Sequence, residues 1–213
     1  MKSFKSTFIK TSLVAVVGIL SASPAHALVG FSLKAGTNLN SFSGSNSSGN
    51  SIANYSNVGM GYMGGLGVDI GVGPIGVLVD VLYAARAYKF GIGADVSLIN
   101  HTLKLPSIYI PIQARFSIIP LLSLTGGVYY SMLLSDSGNV YDSSGTKTGT
   151  VDMSGHKNDF GAVAGLGVNL PLGVTTLSLE ARYNYGFTNL AANPTGDESM
   201  KNRAIDVLVG MTF

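Results

Sequence analysis

From residue 29 onward the chain alternates apolar with small or polar residues at a period of two, over and over, in segments of about ten residues or more. Successive side chains of a strand point to opposite sides. Each such segment is therefore a strand with one apolar and one polar face. Strands are expected near 29–39, 58–72, 75–88, 103–118, 121–134, 158–170, 174–189 and 202–213. Helical spacing is hard to find beside them, and no later apolar run approaches the roughly 18 residues of a transmembrane helix.

The connections alternate in length. "GVGPIG" (71–76), "IIPLL" (118–122) and "LPLGV" (170–174) read as tight turns built on Pro and Gly. Between them lie long polar loops at 40–57, 89–102, 135–157 and 190–201. Eight strands with short turns at one end and long loops at the other define the expected fold class: all-β, an eight-stranded antiparallel up-and-down transmembrane β-barrel. A weak internal repeat supports a wall of repeated hairpins: "GLGVDIGVGPIGVLVDVLY" (65–83) aligns with "GLGVNLPLGVTTLSLEARY" (165–183).

The start of the chain reads differently. Lys2, Lys5 and Lys10, the apolar "SLVAVVGIL" (12–20) and "AHA" (25–27) have the layout of a secretory signal peptide over residues 1–27. That leaves 28–213 as the barrel domain. Losing three lysines and no acidic residue would turn the formal net charge of +2 into −1. No clustered basic face remains for nucleic acid. With no cysteine, an exported chain has no disulfide framework. Only 11% of residues are charged, under half of the roughly 25% usual in soluble domains.

Those few charges sort onto one side. In 174–189, Leu177, Leu179, Ala181, Tyr183, Tyr185 and Phe187 share a face, opposite Ser178, Glu180, Arg182 and Asn184. Val77, Val79, Val81 and Tyr83 likewise oppose Asp80 and Arg86, and Ile108, Ile110, Ile112 and Phe116 oppose Tyr109, Gln113 and Arg115. A Gly-, Ser-, Thr- and Asn-rich face suits a narrow lumen. Long apolar faces ending in Phe31, Phe116 and Phe213 at one rim and Tyr62, Phe160, Tyr185 and Phe187 at the other suit lipid. The expected lumen network is Lys34, Asp69, Asp80, Arg86, Arg115, Asp159, Glu180, Arg182 and Asp206. Its near-balance of sign points to paired side chains filling the interior rather than to an ion-selective channel.

The segments "PSIYIPIQARFSI" (106–118), "LTGGVYYSMLLS" (124–135), "DFGAVAGLGVNL" (159–170), "LSLEARYNYGFTNL" (177–190) and "RAIDVLVGMTF" (203–213) resemble the bacterial outer-membrane β-barrel family often called PorT-like. The resemblance covers most of the chain after residue 28, and "EARYNYGFTNL" is its most specific element. It implies an eight-stranded barrel of the bacterial outer membrane with no fixed catalytic motif, and it transfers no substrate. The terminal Phe213, after Val207, Val209 and Met211, also looks like an assembly signal read by the barrel-assembly machinery.

No enzyme chemistry stands out. "GVGPIG" matches G-x-G-x-x-G, but strand-like "VLVDVLYA" follows where a dinucleotide site requires a helix. His101 and His156 fall in expected external loops, a slender basis for a hydrolase and too few ligands for a metal. Asp136, Asp142 and Asp152 match no Ca²⁺ loop. No catalytic, cofactor or metal site is expected. The leading expectation is a non-enzymatic, monomeric barrel whose partners are outer-membrane lipid and lipopolysaccharide, with a structural or surface-interaction role carried by its loops. The alternatives are a narrow pore for small solutes and a membrane-embedded hydrolase.

Overall fold

The computed structural model describes residues 28–45, 56–90, 101–152, 158–190 and 199–213. The expected signal peptide (1–27) and His156 lie outside them. Eleven strands run in chain order: β1 (Leu28–Ser45), β2 (Ser56–Asn57), β3 (Gly59–Val72), β4 (Ile75–Phe90), β5 (His101–Ile119), β6 (Leu122–Leu133), β7 (Ser137–Asp142), β8 (Lys147–Asp152), β9 (Asn158–Leu172), β10 (Thr175–Gly186) and β11 (Ser199–Thr212).

Eight of them close a ring in the order β1–β3–β4–β5–β6–β9–β10–β11 and back to β1, every pair antiparallel. Closure has a physical cause: in hydrocarbon each unpaired backbone N–H or C=O costs several kcal/mol, so a sheet spanning a bilayer leaves no open edge. The seam is continuous. Ser32 pairs with Thr212 at one end of the β1–β11 ladder and Ser45 with Ser199 at the other, and Phe213 N donates to Phe31 O at 2.8 Å beyond it. The ladder is interrupted between β4 and β5, where pairing skips from Val79–Ile112 to Leu82–Tyr109. Pro111 lies in that gap and has no N–H to give.

Three short turns, after Val72, Ile119 and Leu172, share one end of the ring. Gly73 (φ 60°) and Gly173 (φ 75°) occupy the first central position of their two-residue connections, where the turn needs a left-handed backbone. At the other end the wall grows beyond the ring. β2 pairs with the last residues of β4, and the hairpin β7–β8 extends from the first residues of β5. This hairpin departs from the sequence expectation, in which 135–157 is a polar loop.

The faces are sorted as the alternation requires. Outward-facing Leu66, Tyr62, Phe31, Val209 and Phe213 are all more than half exposed. Phe31, Phe116 and Phe213 ring the short-turn end and Tyr62, Phe160, Tyr185 and Phe187 the loop end. Inside lie the buried polar side chains and an apolar layer of Met63, Leu82, Ala84, Tyr109, Tyr129, Val163 and Leu208. That layer departs from the expectation of a polar filling throughout. Leu82, Ala84 and Leu208 share strand parity with Asp80, Arg86 and Asp206, so the periodicity carries them inward whatever their chemistry.

Candidate functional site

The lumen side chains form three charged groups along the barrel. The middle one joins β1, β4 and β10. Lys34 Nζ lies 3.1 Å from Asp80 and 2.9 Å from Glu180. Arg182 Nη2 is 2.7 Å from Asp80 Oδ2, and its Nε donates to Glu180 Oε2 at 3.0 Å. Asp80 and Arg182 are each 1% exposed. Two cations and two anions cancel, so neither sign is left alone in a low-dielectric interior. Gly67 makes room for this group, because a Cβ there would sit 2.2 Å from Asp80 Oδ1 and 2.6 Å from Ser32 Oγ.

Toward the loop end lies a second group around Arg86. Its guanidinium is 4.0 Å from Asp159 and 5.2 Å from the centroid of the Tyr109 ring. Tyr129 OH donates to Asp159 at 2.8 Å, and Asn202 Nδ2 to the same carboxylate at 3.0 Å. Asp206 accepts from Asn184 Nδ2 at 2.7 Å, and Asn184 in turn accepts from Tyr109 OH. Above this group Tyr88, Leu103, Leu105 and Val140, with Phe42 and Leu133 against them, form a small apolar cap built partly by β7. Phe42 stacks on Tyr88 with ring centroids 4.1 Å apart.

The third group, Arg115 with Asp69 at 2.5 Å, lies toward the short turns and is partly exposed. It borders a cavity of about 340 Å³ lined by Ser32, Ser117, Ser123, Thr125, Asn169 and Ser178. Gly73 and Pro120 border the cavity at the turn end, and Lys34, Asp80, Glu180 and Arg182 line it toward the middle of the barrel. The nine charged residues singled out from the sequence are thus divided by the fold into four, three and two. Tyr109 lies on the inner face that the alternation gives it, and Tyr129, Leu82 and Leu208, which the sequence reading does not place in the lumen, complete the layer between the groups.

His101 opens β5 opposite Asp142 of β7. Asp142 accepts directly from Ser144 Oγ at 2.6 Å. An activated serine instead gives its proton to an imidazole base, so this trio lacks the geometry of a nucleophilic site. Among the described residues no three His, Asp or Glu side chains converge as a metal site would require.

A closed ring of eight antiparallel strands, lipid-facing apolar bands with two aromatic girdles, short turns at one end and extended strands at the other define a transmembrane β-barrel of the bacterial outer membrane. The chain belongs to the outer membrane protein beta-barrel domain family, whose profile matches residues 21–192. No curated protein matches the sequence. Among solved structures the chain is similar to Neisserial surface protein A (NspA): 16% identity, TM-score 0.46, covering 86% of this chain and 97% of that one. It is also similar to Ail, the attachment invasion locus protein of Yersinia pestis, crystallised with sucrose octasulfate: 12% identity, TM-score 0.45, 87% and 99% covered. The Escherichia coli outer membrane protease OmpT matches at 7% identity, TM-score 0.41, with 89% and 97% covered.

Proposed function

We propose that this protein is a non-enzymatic outer-membrane barrel of the PorT-like kind, closed to solutes, that acts through the surface it carries above the membrane. The observation that carries this reading is the cross-lumen cluster of Lys34, Asp80, Glu180 and Arg182, with the Tyr109–Leu82–Leu208 layer beyond it. Moving an ion past that point means breaking a buried, hydrogen-bonded pair, a cost of several kcal/mol. The loop end carries the extra material: β7 and β8 lengthen the sheet there and place Ser144 and Lys147 in water. The closed ring leaves no strand edge for a second copy to extend, which supports a monomer.

A narrow, gated conduit is the second reading, favoured by the cavity at the turn end. Single-channel recording of the refolded barrel in a planar bilayer separates the two. A silent barrel, with openings appearing only in Arg182→Ala, is the expected result. Repeated discrete openings of the unaltered protein would replace the closed reading with the conduit. The hydrolase reading has the weakest support, because Asp142 binds Ser144 without an intervening base.

A further inference from the structure

The lipid-facing side of β11 changes character at its loop end. Ile205, Val207, Val209 and Met211 are apolar and exposed, but Lys201 and Arg203, at the same strand parity, are cations. Their neighbours across the ladder are small or aromatic. On β1, Ser43 is opposite Lys201 and Ser41 opposite Arg203; on β10, Tyr185 is opposite Arg203.

Arg203 is held firmly. Its Nε donates to Ser43 Oγ at 2.7 Å, its Nη1 to Tyr183 OH at 3.3 Å, and its guanidinium lies 3.5 Å from the centroid of the Tyr185 ring. Among the described residues no carboxylate pairs with it. A guanidinium has five N–H donors in a planar fork, and among the described residues no partner takes its Nη2 edge. The site sits in the loop-end girdle beside Tyr185 and Phe187, whose rings are 5.7 Å apart. That girdle marks the boundary between acyl chains and headgroups.

We infer that Arg203 and Lys201 form a binding site for the phosphate of a phosphorylated outer-leaflet lipid. Arg203 supplies the fork, pre-oriented by Tyr185 and Ser43, and geometry of this kind favours bidentate contact with phosphate. Lys201, one inter-residue pair further along the same face, supplies a second point charge on the side away from the membrane centre. The acyl chains lie along Ile205, Val207 and Tyr183. Charge complementarity sets the anion, and the lipid-facing position sets its source: a headgroup at that depth arrives with its tails already in the bilayer.

The test uses the full refolded barrel and two probes, bisphosphorylated lipid A and the same lipid stripped of phosphate, with retained lipid counted by native mass spectrometry. The unaltered barrel retains the phosphorylated probe and releases the stripped one. Arg203→Ala and Lys201→Ala each weaken retention roughly fivefold, the worth of one cation near a membrane surface. Arg203→Lys falls between, because it keeps the charge and loses the fork. Lys147→Ala, a charge-matched change at the hairpin tip, leaves retention unaltered. Heat-modifiable migration on gels confirms folding, and Lys201→Ala keeps the test readable should Arg203→Ala misfold. Equal retention of the two probes overturns the inference, as does unchanged retention by folded Lys201→Ala. Displacement of the lipid by an equal concentration of inorganic phosphate would make this a free-anion site and overturn the assignment to lipid.

Discussion

Arg182 on β10 reaches Asp80 on β4 at 2.7 Å, although three wall strands separate β4 from β10 on either side. The bond therefore spans the barrel's diameter. The two strands are also partners in sequence: within the repeat at 65–83 and 165–183, Asp80 corresponds to Glu180, and Gly73 to Gly173. Both hairpins turn on a glycine of positive φ. The repeat places two carboxylates at facing points of the lumen, and Lys34 and Arg182 fill the space between them. The barrel is tied across its middle by the same periodicity that builds its wall.

Removing one member of that tie should cost more than removing two. Arg182→Met leaves Asp80 and Glu180 sharing the single charge of Lys34, and destabilises the barrel by about 3–5 kcal/mol, the usual cost of breaking a buried pair from one side. Arg182→Met with Glu180→Gln leaves one cation beside one anion and should recover part of the loss. Urea unfolding from lipid bilayers measures both. A double variant no more stable than the single one would show that the four charges are not coupled.

The close approach at Gly67 gives a sharper geometric test. Gly67→Ala puts a methyl group 2.2 Å from Asp80 Oδ1, so the carboxylate is pushed off its cations. The expected loss is about 1–3 kcal/mol, as for overpacking elsewhere. Gly126→Ala is the control, since a Cβ there meets nothing within 4 Å. Equal unfolding midpoints for the two variants would remove Gly67 from the account.

Much of this architecture can be read from the sequence because a strand's period of two is rigid. Once Val77, Val79 and Val81 are assigned to lipid, Asp80 and Arg86 can only point inward. The same rule carries Leu82 and Leu208 inward, although their hydrophobic chemistry suits either face. Partners across the lumen are not legible in this way. Which carboxylate meets Lys34 depends on ring order and strand stagger, and alternation along one strand records neither. The β7–β8 hairpin was hidden by composition: "GNVYDSSGTKTGTVD" (138–152) is so polar that Val140, whose buried side chain completes the loop-end cap, looks like loop.

Phe213 adds to the β1–β11 seam. Phe213 N donates to Phe31 O at 2.8 Å, and Phe31 N to Phe213 O at 3.2 Å, so this residue fastens β11 to β1 at the short-turn girdle. Phe213→Ala keeps those backbone bonds and removes only the ring. If the aromatic side chain is an assembly signal, outer-membrane levels fall and periplasmic degradation rises, while the purified variant refolds with nearly unchanged stability. Cell fractionation beside in vitro refolding separates the two effects. Normal outer-membrane levels of Phe213→Ala would leave the ring with an interfacial role alone.

The exposed hairpin responds to pH through Asp142. Its Oδ1 accepts from Ser144 Oγ at 2.6 Å, from Thr146 N at 2.8 Å and from Ser144 N at 3.0 Å. These bonds, that of Ser144 Oγ first, hold the carboxyl below its ordinary value of 3.8. A pKa lower in the folded turn than in the unfolded one means that the contribution is complete above 3.8 and is lost as pH falls through the folded value. The turn between β7 and β8 should therefore loosen in acid while the wall stays intact. Amide protection at Ser144 and Thr146, compared at about pH 6 and about pH 2.5, reads this directly. Asp142→Asn cannot ionise and should show little difference between the two. Protection that drops as steeply in Asp142→Asn as in the unaltered chain would place the acid sensitivity elsewhere in the hairpin.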